Sequence, residues 1–249
     1  VRAPGRGEVP LPSDAPGGPA RALGAQPRGP LSDASAAQVL DAASLVVLPG
    51  VIDSQVHFRE PGLEHKEDLE SGTRAALVGG VTTVLEMPNT RPPTTTAARL
   101  EEKIVRARDR VWTDVGFFVG ASCSNIDELV ELERAPHCAG VKVFHGSSTG
   151  DLLVETEADL DRVLRAGVRR VAIHAEDEAR LRERRPIAER GSVSLHPEWR
   201  DVESATRATE RCIRLARLAR RPIHVLHVTT AEELELLAQA RDVATVEVT

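Results

Sequence analysis

From Leu45 onward, short apolar runs rich in β-branched residues alternate with amphipathic or charged stretches. The runs are VVLPGVIDSQVHF, TTVLEMP, VGFFVGA, GVKVFHG, VAIHAED, IHVLHVT and ATVEVT. Between them lie EDLESGTRAALVGG, AARLEEKIVRARDR, IDELVELERA, ADLDRVLRAG, SATRATERCIRLARLARR and AEELELLAQAR. This rhythm predicts βαβ units built on a parallel sheet. The runs are apolar nearly throughout, as expected of strands covered on both faces. Seven such strands fit a (β/α)8 barrel without its last unit, or an open doubly wound sheet.

Polar residues at the strand ends choose between these. His57, Asn89, His174 and His227 each fall at or just beyond the C-terminal end of a different run. Barrel enzymes assemble their sites from many strand ends, whereas an open sheet concentrates its site at one switch point. No GxGxxG or GxxxxGK[ST] loop is present to anchor such a point. The expected fold is therefore α/β, a (β/α)8 TIM-type barrel over residues 45–249, truncated after about strand seven.

Residues 1–44 have a different texture. Thirteen of the first 30 are Gly or Pro, and the chain opens on Val1. Such a segment cannot bury enough apolar surface to offset its ordering entropy. It reads as a disordered tail or as the product of a mis-translated, GC-rich frame.

Composition narrows the function classes. With 41% hydrophobic and 28% charged residues, the chain is an ordinary globular sequence. A net charge of -6 leaves no dominant basic face, which argues against a nucleic-acid partner. No apolar stretch is long enough to span a bilayer and no signal-peptide pattern opens the chain. Cys123, Cys138 and Cys212 form no CxxC pair, which fits a reducing cytoplasm better than a disulfide framework.

The chemistry lies on the strands. Gln55 and His57 are two apart and face the same way on a regular strand. A histidine at 55 would complete a metal-gripping HxH pair. Gln55 offers an uncharged amide oxygen, either as a weak ligand or as a hydrogen-bonding group at the barrel mouth. Lys142 lies among apolar neighbours, where an ammonium is costly unless paired or neutralised. It could meet a carboxylate, or be carboxylated by carbon dioxide into an anion able to bridge two metals. His145 is an odd step away and faces the opposite side. His174, and either His224 or His227, add imidazoles from neighbouring strands. His227 lies closer to the C-terminal strand end and is the stronger candidate. His65, His137 and His196 fall in helical or loop segments and read as surface residues.

The stretch PGVIDSQVHFREPGLEHKEDLESGTRAALVGGVTTVLEMPNT closely resembles the opening of dihydroorotases, within the amidohydrolase superfamily of cyclic amide hydrolases. GVKVFHGSSTG, IHAEDE and HVLHVTTAEEL resemble three later blocks in the same order, so the likeness runs from about Ala36 to Thr249. The resemblance implies a barrel of the metal-dependent hydrolase kind, holding one or two zinc ions, with a small β-sandwich built from both chain ends. Residues 1–44 would then be the remnant of that sandwich. The implied reaction is the reversible hydrolysis of dihydroorotate to N-carbamoyl-L-aspartate in pyrimidine biosynthesis. By motif, His57 would bind one metal, Lys142 would bridge as an N-carboxylated lysine, and His174 with His227 would hold the second. Arg59 and Asn89 would bind the substrate carboxylate, a task that suits the planar guanidinium fork. The implied assemblies are a homodimer or a complex with aspartate transcarbamoylase.

The pattern is broken in two places. Gln55 replaces the first histidine of HxH, as in a DxQxH subgroup of dihydroorotase-like sequences, and weakens the first metal position. The family's general-base aspartate follows strand eight and is expected beyond Thr249, so the chain as given is expected to be an inactive, aggregation-prone fragment. Two alternatives follow. One is a non-catalytic dihydroorotase-like scaffold for aspartate transcarbamoylase. The other is a hydantoinase, dihydropyrimidinase or allantoinase-type enzyme acting on uncharged rings.

Overall fold

The computed structural model describes residue 42 and residues 44–147 and 152–249. The Gly- and Pro-rich segment, apart from its last residues, lies outside them. Seven strands follow the predicted runs: β1 (Val51–Val56), β2 (Val81–Glu86), β3 (Asp114–Gly120), β4 (Cys138–His145), β5 (Val171–Ala175), β6 (Ile223–Val228) and β7 (Ala244–Val248). Each pairs in parallel with the next, so sheet order equals chain order. The sheet curls until its two outer strands meet through their side chains, with Ser54 Oγ of β1 donating to Glu247 Oε2 of β7 at 2.7 Å. The architecture is a TIM-type barrel with one strand interval open, as the pattern predicts.

The helices α1 (Leu69–Val78), α2 (Ala97–Ala107), α3 (Leu129–Leu132), α4 (Glu157–Arg165), α5 (Glu178–Ala188), α6 (His196–Trp199), α7 (Val202–Ala219) and α8 (Ala231–Ala238) connect the strands. Six of them begin at a side-chain cap: Asp68, Thr96, Thr156, Asp177, Asp201 and Thr230 each accept the backbone N–H three residues on. Each cap contributes about 1 kcal/mol by satisfying an otherwise orphaned donor. Helix α5 escaped the hydrophobic pattern because it has almost no apolar stripe, with Leu181 its only buried residue and Pro186 inside it. The predicted first strand is also shorter than its apolar run, since Leu45, Val46, Val47 and Leu48 precede β1 and are exposed. Large apolar side chains on both edge strands, among them Ile52 and Val248, are exposed as well.

Strand alternation separates two cores. Val84, Val115, Phe117, Val141, Val143, Ile173 and Val225 face outward and pack with Leu100, Ile104, Leu160, Leu164 and Ile213 of the helices. A smaller interior cluster joins Met87, Phe118, Ala172 and Leu226. The helix layer also holds buried ions. Lys103 of α2 pairs with Glu86 of β2 and donates to the Met87 carbonyl at 3.1 Å, both side chains being 1% exposed. Arg221 and Glu133 form a second buried pair at 2.5 Å. No helix among the described residues is long and apolar enough to cross a membrane.

Because the Glu86 carboxylate has no water to turn to, Lys103→Met is expected to destabilise the protein by about 3–5 kcal/mol in chemical denaturation. The double change Glu86→Leu with Lys103→Met should recover most of that loss, since no unpaired charge then remains buried.

Candidate active site at the strand ends

Lys142 occupies the middle of β4, in the pairing row that runs from Gly120 through Lys142 to Ala172. It is fully buried, and its Nζ has no hydrogen-bond partner among the described residues. The amine stands 4.5 Å from the centroid of the Phe144 ring. Burial drives its pKa well below the usual lysine range, only partly opposed by the field of Glu247. No carboxylate is in contact with it among the described residues, and burial favours the uncharged form of the amine. His145, the next histidine on the same strand, points the other way as expected. Its Nδ1 lies 2.7 Å from the Val154 carbonyl and its Nε2 lies 3.1 Å from the Arg211 guanidinium of α7.

His174 and His227 are brought together. His174 Nδ1 and His227 Nε2 are 3.0 Å apart, with the rings nearly edge to face. Simple alternation would separate His224 from His227, three residues apart, onto opposite faces. The backbone corrects this with an irregularity: the β6–β7 register breaks between Val225 and Val228, and His227 takes φ 40. Both imidazoles thereby reach the side on which Glu247 lies. His224 Nδ1 sits 2.8 Å from Thr245 Oγ1 and its Nε2 sits 3.2 Å from Glu247 Oε2, while the His227 backbone N–H donates toward Glu247 Oε1 at 3.4 Å. Holding a non-glycine residue in this region costs of order 1–3 kcal/mol, which the surrounding structure must offset. Burial, the neighbouring His174 and Lys142 lower the His227 pKa to about 4, so its ring is neutral at physiological pH.

A comparable irregularity serves β1, whose pairing with β2 shifts between Asp53 and Val56. Val56 packs into the outer core, and His57 follows it at the strand end. Gln55 is half-buried. His57 Nδ1 lies 2.8 Å from Asn89 Oδ1 at the end of β2. With the amide oxygen accepting from Nδ1–H, the Nε2 lone pair stays available. Burial and the nearby Arg59 lower the His57 pKa to about 4.

Arg59 follows in a left-handed backbone conformation, φ 64. The acidic neighbour that could neutralise it is committed elsewhere. Glu60 is held by Arg110 at 2.7 Å and accepts the Leu69 N–H at the start of α1 at 3.0 Å. Arg59 forms no ion pair among the described residues. The loop is also seated by Gly72 of α1, where an added Cβ would come within 2.4 Å of the Phe58 ring.

Two further residues join the site without having been singled out in the sequence. Glu176 Oε2 lies 2.8 Å from His174 Nε2. Arg200 grips the same carboxylate at both oxygens, Nε to Oε1 at 2.7 Å. Burial works against the Glu176 carboxylate, but His174 and Arg200 overcome it and hold its pKa at about 2. Glu176 is two residues after His174 and could have been found from that spacing. Arg200 is 24 residues further on, in a turn, and carries no such signal. As expected, His65, His137 and His196 are exposed. Among the described residues, no three His, Cys, Asp or Glu side chains already stand together as a metal site. A groove of about 850 Å³ on the outer helix face lies away from these groups, and its arginines 211, 214 and 217 are matched by Glu157, Asp177 and Asp242.

The end of β4 approaches the end of β5 closely. Gly146, at φ +97, would place a Cβ 2.1 Å from the Glu176 carbonyl oxygen. Gly146→Ala is thus expected to cost at least about 1–3 kcal/mol in thermal denaturation, through backbone strain and displacement of Glu176.

The comparisons follow the same outline. A family model described as the amidohydrolase family matches residues 46–240. A dihydroorotase of Halobacterium salinarum is 37% identical over 194 residues, covering 77% of this chain and 45% of the relative. An allantoinase of Deinococcus radiodurans is 33% identical over 217 residues, covering 83% of this chain and 48% of the relative. Among solved structures, the L-hydantoinase (dihydropyrimidinase) from Arthrobacter aurescens superposes with a TM-score of 0.80 at 27% identity, covering 87% of this chain and 50% of that one. The chain spans about half the length of these relatives.

Proposed function

The chain belongs to the amidohydrolase family, and on that footing we propose that it is the barrel portion, residues 45–249, of a zinc-dependent hydrolase of cyclic amides, with dihydroorotate as substrate. The observation that carries this reading is the Lys142 amine, buried with no hydrogen-bond partner among the described residues and near enough to His57, His174 and His227 to act on all three imidazoles. An unprotonated amine can attack carbon dioxide. Its lone pair forms the N–C bond, one N–H proton leaves, and a carbamate anion results. That anion supplies the missing acceptor oxygens for a cation among His57, His174 and His227, with Gln55 as a weak additional donor. Zinc bound there would polarise the ring carbonyl and acidify the attacking water.

The substrate choice rests on Arg59. A guanidinium with no ion pair, on a loop pinned by Glu60 and Phe58, is suited to receive a carboxylate in two-point fashion. Asn89 keeps its amide N–H groups for the same anion while its oxygen orients His57. Hydrolysis then joins the water oxygen to the ring carbonyl carbon, breaks the C–N bond, and delivers a proton to the leaving nitrogen. The relatives named dihydroorotase favour this substrate. The relative named allantoinase and the hydantoinase neighbours favour an uncharged ring, and Arg59 is the feature that supports an anionic one instead.

In the full-length protein, Arg59→Met is expected to lower kcat/KM for dihydroorotate by about 10–100-fold, the loss of a charged hydrogen-bonded contact. Turnover of an uncharged cyclic ureide by the wild type, with none of dihydroorotate, would replace this reading with a hydantoinase or allantoinase activity. Lys142→Ala should abolish zinc retention, measured by metal analysis of the dialysed protein. A wild-type protein that retains no zinc would instead favour a non-catalytic scaffold.

A further inference from the structure

We propose that Glu176 and Arg200 are positioning residues that fix the ring orientation and tautomer of His174 so that Nδ1 is its inward ligand atom. This rests on the metal-dependent reading above. The chain of contacts is continuous. Arg200 Nε donates to Glu176 Oε1 at 2.7 Å, Glu176 Oε2 lies 2.8 Å from His174 Nε2, and His174 Nδ1 lies 3.0 Å from His227 Nε2. A carboxylate can only accept, so the nitrogen facing it carries the proton. The opposite nitrogen, Nδ1, is then left with its lone pair directed at His227. Metal-binding histidines generally donate their second N–H to such an acceptor, which sets the ring and raises its basicity.

Arg200 is itself held on rigid supports. The α6 turn that precedes it docks on α5, with Trp199 Nε1 donating to the Leu181 carbonyl at 2.9 Å and Arg184 Nε to the Glu198 carbonyl at 2.9 Å. Its next neighbour, Asp201, caps α7 and is gripped by Arg180 at 2.8 Å. From below, Glu176 is fixed by its own N–H, which donates to the His145 carbonyl at 2.8 Å. A purely structural ion pair would need neither the histidine contact nor the alignment of Nδ1 with a second imidazole.

The test uses the full-length protein, zinc in competition with a chelator, and nitrogen NMR of the His174 ring. Glu176→Gln keeps the shape but offers an amide that can donate as well as accept. It should weaken zinc binding by about 10–100-fold and release His174 from the Nε2–H tautomer, with the circular dichroism spectrum unchanged. Arg200→Gln should act in the same direction with a smaller loss, and it decides the matter by the same two readouts if Glu176→Gln fails to fold. Unchanged zinc affinity together with an unchanged tautomer would overturn the proposal. If the wild type binds no zinc, the metal reading fails alone. The tautomer then decides: Nε2–H in the wild type and mixed in Glu176→Gln supports positioning, and no difference overturns it.

Discussion

A primary amine at zero exposure, with no hydrogen-bond partner among the described residues, is costly to keep as an ammonium ion inside an apolar barrel. That constraint at Lys142 organises the interior. Desolvation favours the uncharged form, in which the lone pair is not occupied by a proton. Burial likewise lowers the pKa of His57 and His227 and favours the neutral state in which they can offer lone pairs. An interior able to neutralise one base is thus one in which several bases face inward together without mutual repulsion.

The backbone departs from ideal geometry where these groups must converge. Two of the pairing irregularities, in β1 before His57 and in β6 before Val228, add a residue on one strand. In β6 the extra residue lets His224 and His227, three apart, reach one side, which strict alternation would exclude. The left-handed conformations of Arg59 and His227 fall at the same strand ends. At these two positions backbone strain accompanies the aiming of a side chain, and the well-packed outer core helps to offset it.

Division of labour between adjacent residues recurs around the site. Glu60 absorbs Arg110 and caps α1, which leaves Arg59 uncommitted. Asp177 caps α5 and binds Arg211, whereas Glu176 beside it turns to His174 and Arg200. In both places one charge ties the loop to the helix layer and its neighbour is freed for the interior. The helix layer therefore contributes to the site's chemistry by occupying the partners that would otherwise neutralise it.

The sequence by itself determined the strand–helix rhythm, the barrel, and the inward bases Lys142 and His174, because a strict two-residue period ties identity to face. Motif resemblance identified Arg59 and Asn89 ahead of any geometry. Only the tertiary structure decided that His227 and His224 share a side, since an inserted residue resets the period locally and leaves no signature in composition. The same holds for Arg200, which reaches His174 through Glu176 from a turn far along the chain. Such contacts depend on how α6 docks against α5, and that packing follows from the three-dimensional assembly of many weakly patterned residues.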